Sequence, residues 1–128
     1  MSLLPFNPEN ELDERLIQAR SGKVDMADIL KQLLQENIYV LSKEEVQSDG
    51  SGFVPLLLEG QDGPLVAVFS ALPHATIHRD AAQHALQMNG RDFISRMPPG
   101  YGLVLNPGFT VHLVIPKNGI ETIKADLR

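Results

Sequence analysis

Apolar residues recur along this chain with two different periods, and the changes of period mark the predicted elements. Leu12, Leu16, Ile17 and Ala19 form a narrow apolar face behind Asn7-Pro8-Glu9. That triplet is a helix-start signal: Asn can cap, Pro suits the first helical position, and Glu opposes the positive end of the dipole. Ser21-Gly22 ends this first helix. Met26, Ile29, Leu30, Leu33 and Leu34 then follow the i, i+3, i+4, i+7, i+8 spacing of a helix with one buried side. Asp25 is its expected cap, Val24 and Ile29 form a hydrophobic staple, and Asn37 closes it in the left-handed conformation.

From Ile38 the spacing shortens to that of strands. Ile38-Tyr39-Val40-Leu41 is β-branched and aromatic, and a polar loop follows it, with Ser48-Asp49-Gly50-Ser51-Gly52 at its tip. Residues 53–58 read as a second strand. Pro55 lacks a ladder donor, so this strand belongs at an edge or on a bulge. Gln61-Asp62-Gly63-Pro64 is a turn that predicts an antiparallel hairpin into Leu65-Val66-Ala67-Val68-Phe69. That run is apolar at every position, as expected of a central strand covered on both faces.

Residues 72–99 are ambiguous in pattern. A short helix is expected over 71–77, and 81–88 has helical composition but can also be read as extended. Asn89-Gly90-Arg91-Asp92 restarts a helix with Asn89 as cap and Phe93, Ile94 and Met97 inward, and Pro98-Pro99-Gly100 stops it. Leu103-Val104-Leu105 is another doubly apolar strand. In the turn Asn106-Pro107-Gly108, Asn is expected to bond its own backbone, Pro to fix φ, and Gly to admit positive φ. A strand over 111–115 places odd positions in the core and His112 outward, and Pro116 ends it. Asn118 and Glu121 have capping-box spacing for a last helix with Ile120, Ile123 and Leu127 inside. The expected architecture is α/β (α+β): two N-terminal helices, a mixed sheet of about five strands, and helices packed on that sheet. No internal repeat or low-complexity tract interrupts it.

Composition narrows the function classes. At 128 residues with 43% hydrophobic content, the chain is long enough for one core, and residues 1–128 are expected to be a single domain. The longest apolar-rich run, 65–72, is strand length and not membrane length, and the N-terminus lacks the regions of a signal peptide. With no cysteine there is no disulfide framework, thiolate metal site or Cys nucleophile. The expected location is the cytoplasm. A net charge of −5 argues against non-specific nucleic-acid binding. The charge is uneven, about −7 over residues 1–64 and +2 over 65–128, so the mildly basic second half is expected to face the acidic N-terminal helices or, in the alternative, an anionic partner. The early acids Glu9, Glu11, Asp13 and Glu14, in the first two turns, read as a solvated face or, in the alternative, as a metal or partner site.

Candidate chemistry is sparse. His74 and His78 have the spacing that puts two imidazoles on one helix face, and His84, Asp80 or His112 could supply a third metal ligand. Between the two histidines, however, there is no Glu of the zinc-protease kind. Ser70 follows the most buried strand, where open α/β sheets place ligand groups, and it is read as the cap of the next turn or as a functional hydroxyl. A nucleophile there needs a positioned base and an orienting group. Gly100-Tyr101-Gly102 precedes a strand, so it is not a dinucleotide loop, and no phosphate-loop motif exists. Tyr101 and Phe109 flank the 106–108 turn and would form a contact patch if exposed.

Ile38-Tyr39-Val40, Leu65 through Ser70, Asn89-Gly90-Arg91-Asp92-Phe93, and Gly102 through Gly108, continued by Ile115-Pro116 and Gly119-Ile120, occur in an order that resembles the N-terminal domain of the SseB family. These are bacterial proteins named for enhanced serine sensitivity. The resemblance spans about residues 10–127. It implies a small α/β domain without agreed catalytic residues, so none is carried over. Longer members continue into a second domain, which is expected to be missing here.

The expected function is a non-catalytic, cytoplasmic protein-interaction or regulatory module, with no catalytic, cofactor or metal residues. Ser70, Tyr101, Asn106 and Phe109 are the candidate interaction or ligand patch. A protein partner is expected and a homodimer is open; nucleic acid and membrane are not expected. The alternative is a small-molecule-binding protein or small hydrolase using Ser70 with a histidine of the second half.

Overall fold

The computed structural model describes residues 3–49 and 51–127. Two consecutive helices in contact, α1 (Glu11–Arg20) and α2 (Met26–Gln35), lead into the sheet. The strands are β1 (Asn37–Ser42), β2 (Leu57–Gly60), β3 (Gly63–Phe69), β4 (His84–Asn89), β5 (Gly102–Leu105) and β6 (Leu113–Ile115). They form one mixed six-stranded sheet in the order β4-β1-β3-β5-β6, with β2 also paired to β3. Only β3 and β5 run parallel; Val66 lies beside Leu103 and Val68 beside Leu105. A parallel pair requires a long crossover, and here it comprises α3 (Leu72–Ala75), a 3-10 turn (Thr76–His78), β4 and α4 (Gly90–Arg96). Helix α5 (Lys117–Asp126) closes the chain.

The doubly apolar strands are explained by cover on both faces. Ile38, Val40, Val66, Val68, Leu103 and Leu105 join Leu12, Leu16, Ile29, Leu33, Phe93, Ile94 and Ile120 of the long helices in one core. Leu41, Ala67, Phe69 and Val104 point the other way and pack with Leu56, Ala75 and Ala82 from the α3 side. Both cores converge on β3, where Val68 and Phe69 are wholly buried on opposite sides.

Several local expectations shift. The first helix begins three residues later than Asn7 implies: Asn10 is the true cap, its Oδ1 accepting from the Asp13 amide at 2.9 Å. Asp25 sits at the cap position of α2 without a side-chain bond, and Asn37 opens β1 instead of closing the helix. Residues 84–89 are a strand, the sixth of the sheet, because β1 needs a neighbour: Ile38 pairs with Met88 and Val40 with Leu86. Tertiary pairing thus overrides helical composition there. Residues 53–56 lie outside the β2 ladder, and Pro55 makes one isolated bridge to Ser42. The last strand is shortened to Leu113–Ile115, and α5 starts directly after Pro116, without the Asn118–Glu121 capping box. Asn89 caps α4 as the sequence implies, accepting from the Asp92 amide at 3.2 Å.

Candidate functional site

The end of β3, the start of α1 and the turn after β5 meet in a buried polar cluster. Ser70 is 2% exposed, His74 4%, and Asp13 and Asn106 0%. Each has a local cause for being there. Ser70 is the residue that leaves β3, and Asn106 leaves the parallel neighbour β5 at the same end of the sheet. Asn106 takes the left-handed conformation, φ 58°, the only non-glycine of the described residues to do so. Asp13 lies three and four residues before Leu16 and Ile17, on the inward stripe of α1.

The side chains of Asp13, Ser70 and Asn106 are bonded to one another and to their neighbours. The Ser70 amide donates to Asn106 Oδ1 at 3.0 Å, and Asn106 Nδ2 donates to Ser70 Oγ at 2.9 Å. The Ser70 hydroxyl donates to Asp13 Oδ1. The other carboxylate oxygen, Asp13 Oδ2, accepts from the Glu9 amide at 2.9 Å and from His74 Nε2 at 2.8 Å. Asn10 Nδ2 completes the set by donating to the Ser70 carbonyl at 2.8 Å. Aromatic rings cover the imidazole: Phe6 stacks on His74 at 4.7 Å, and Phe109 meets it edge-on at 5.1 Å. The arm carrying Phe6 is itself tied down, since the Leu4 amide donates to the Gly108 carbonyl and the Thr110 amide to the Leu4 carbonyl.

This order of partners decides the chemistry. A serine nucleophile needs a base that accepts its proton, with an acid orienting that base from behind. Here the carboxylate stands between the hydroxyl and the imidazole, and His74 is bonded to Asp13 only through the nitrogen that a serine base would need. The clefts beside α1 and α2, beside Tyr101, and at the β2–β3 turn are not lined by Asp13, Ser70 or His74. The cluster is a structural tie that joins α1, β3, α3 and the β5 turn.

The expected patch is therefore divided. Ser70 and Asn106 are interior members of the tie, and Phe109 is 6% exposed beneath Phe6. Burial removes all three from the surface because the turn after β5 folds under the N-terminal arm. Tyr101 is half-buried and faces a different place, an open apolar groove of about 660 Å³. Phe53, Leu57, Leu86, Met88, Phe93 and Met97 supply its apolar lining, with Arg96 as its one charged side chain. The histidines of the metal alternative are not gathered: His74 bonds Asp13, His78 Nε2 the Pro107 carbonyl at 2.9 Å, and His112 Nδ1 the Phe109 carbonyl at 2.8 Å. Among the described residues no group of three or more His, Asp or Glu is gathered to hold an ion.

The SseB protein N-terminal domain model matches residues 12–122. The chain belongs to the SseB family. No curated protein and no solved structure matches it. The family segments coincide with the parts of this SseB domain that hold the tie and the groove. Residues 65–70 deliver Ser70, 102–108 deliver Asn106, and 89–93 begin the helix whose Phe93 lines the groove. No helix of the described residues is long and apolar enough to cross a membrane.

Asp13 and His74 are the members of the tie that the sequence reading did not join. Asp13 reads with the solvated acids of the early helix, although its spacing to Leu16 and Ile17 marks it as inward. Asn106 offers a direct check. Asn106→Ala loses both amide bonds to Ser70 and puts a β-carbon without local hydrogen bonding into a left-handed position, so unfolding free energy should fall by ~2–3 kcal/mol. Urea denaturation of Asn106→Ala beside Asn106→Gly separates the two costs, because glycine relieves only the backbone part.

Proposed function

We propose that this SseB domain is a non-catalytic protein-interaction or regulatory module of the bacterial cytoplasm, and that it engages its partner through the groove beside Tyr101. The observation that supports this is the contrast between two sites. The polar groups that could do chemistry are mutually satisfied and covered, whereas the apolar groove is open along one side and leaves Leu57 42% exposed. Exposed apolar surface rimmed by polar residues is the common mark of a contact site. A second reading, binding of a small apolar molecule, is favoured by the groove volume, which falls in the range of ligand sites. The hydrolase form of that reading lacks support, because Ser70 donates to a carboxylate.

A photo-crosslinking phenylalanine analogue placed at position 101, with exposed Val114 substituted as control, tests the interaction reading in the protein's own cells. A discrete protein adduct at 101 and none at 114 is expected. Equal labelling at both positions, or none at 101, would sink it. Ser70→Ala should leave the adduct in place once stability is matched by temperature.

A further inference from the structure

Among the described residues the sheet has three free edges, and they are not equally protected. Natural sheets blunt an edge with charge, proline or short length, because unpaired backbone groups template another strand. Strand β6 has three residues and ends at Pro116. Strand β2 has four, carries Glu59 and follows Pro55. Strand β4 has six residues, His84-Ala85-Leu86-Gln87-Met88-Asn89, paired on one side only, to β1, and contains neither proline nor any Asp, Glu, Lys or Arg.

We infer that β4 pairs antiparallel with β4 of a second copy, joining the two sheets across a two-fold axis through Gln87. The composition of β4 favours its own copy over another partner. In a protein of net charge −5, β4 carries no Asp, Glu, Lys or Arg, so no like charges oppose when it meets itself, and unlike the equally uncharged β6 it is six residues long. Side-chain alternation fixes the register. Leu86 pairs with Val40 and Met88 with Ile38, so both side chains lie on the face covered by the long helices, where they are only half-buried. With the axis through Gln87, Leu86 lies opposite Met88 of the second copy, and the reverse contact repeats it. Two apolar pairs therefore form on that face, and the two exposed Gln87 amides face each other on the opposite side. A register moved by two residues sets His84 against Met88 and loses one apolar match. Because Leu86 and Met88 also line the groove, the grooves of the two copies flank the junction. The pairing stands whether or not the groove takes a partner.

Sedimentation equilibrium from low micromolar to several hundred micromolar is the test. A reversible dimer is expected; a monomer throughout overturns the proposal. Gln87→Lys sets two cations opposite each other across the axis at an exposed position, and should weaken dimerisation by about fivefold without altering the circular dichroism or melting temperature. An equimolar mixture of Gln87→Lys and Gln87→Glu should dimerise more tightly than either variant alone. A dimer indifferent to both charges, or a mixture no tighter than its components, places the interface elsewhere and overturns the β4 assignment. A monomer that still gives a protein adduct at position 101 would reject this pairing and leave the interaction reading intact.

Discussion

Replacing Asp13 with alanine is expected to destabilise the protein by about 3–5 kcal/mol, the cost of stranding several buried hydrogen-bond donors at once. The carboxylate is fully buried and accepts three bonds, from the Glu9 amide, the Ser70 hydroxyl and His74 Nε2. Its removal strands all three donors, and a stranded buried donor costs more than a typical hydrogen bond contributes. Asp13→Asn should lose less, because an amide oxygen still accepts while its nitrogen must face one of the donors. Denaturant melts of both variants, with the double variant Asp13→Ala/His74→Phe, close the argument. Phe6 and Phe109 already form an aromatic wall around position 74, so an apolar ring there should recover part of the loss. If Asp13→Ala melts within 1 kcal/mol of the parent (about the contribution of a single hydrogen bond), the network is not the tie described above.

That tie also shows why the fold was more legible than the site. Binary pattern reports burial and period, and it found α2, β3, β5 and the stop at Pro98-Pro99 because each depends on local spacing. Cooperation between Asp13, Ser70, His74 and Asn106 depends on three chain crossings, and nothing local records which acid meets which histidine. One trace exists, the placement of Asp13 on the stripe of Leu16 and Ile17, but four acids within residues 9–14 obscure it. In the turn after β5, the left-handed residue besides Gly108 proved to be Asn106, with its side chain spent on Ser70 and not on its own backbone. Strand β4 was obscured for a related reason. Ala, Leu, Gln and Met favour helix, and only the vacant side of β1 makes them a strand.

The two ends of the parallel pair divide the work. The tie fastens the α1 start, the end of β3 and the arm over Phe109 at one end of the parallel pair. The groove lies nearer the other end, where β3 turns from β1 to β2 as its neighbour and the 43–56 connection leaves Phe53 and Leu57 beside α4. A rigid polar tie set apart from an open apolar surface is an arrangement suited to presenting that surface, and poorly suited to moving protons.

Gly90→Ala is expected to cost more than about 3 kcal/mol, against the gain of up to about 1 kcal/mol that glycine-to-alanine changes give at ordinary helical positions. Gly90 is the first residue of α4, its backbone is not in the left-handed region, and alanine would be welcome by propensity. The obstacle is its neighbour. A β-carbon at position 90 would lie 2.0 Å from the Leu33 carbonyl oxygen and 3.4 Å from that of Glu36, both backbone atoms of the α2 end that cannot swing aside. The Gly90 amide meanwhile donates to the Glu36 carbonyl at 2.9 Å, fixing the approach of the two chains. Relief would require α4 to move off α2, which opens the core at Leu33 and Ile94, both 0% exposed. The Asn89-Gly90 pair therefore has two separable jobs: the asparagine caps, and the glycine admits contact. Asn89→Ala should lose only the cap, ~1 kcal/mol. Thermal and urea melts of the two variants should rank Gly90→Ala far below Asn89→Ala. Equal losses would mean that α2 and α4 are not in backbone contact there.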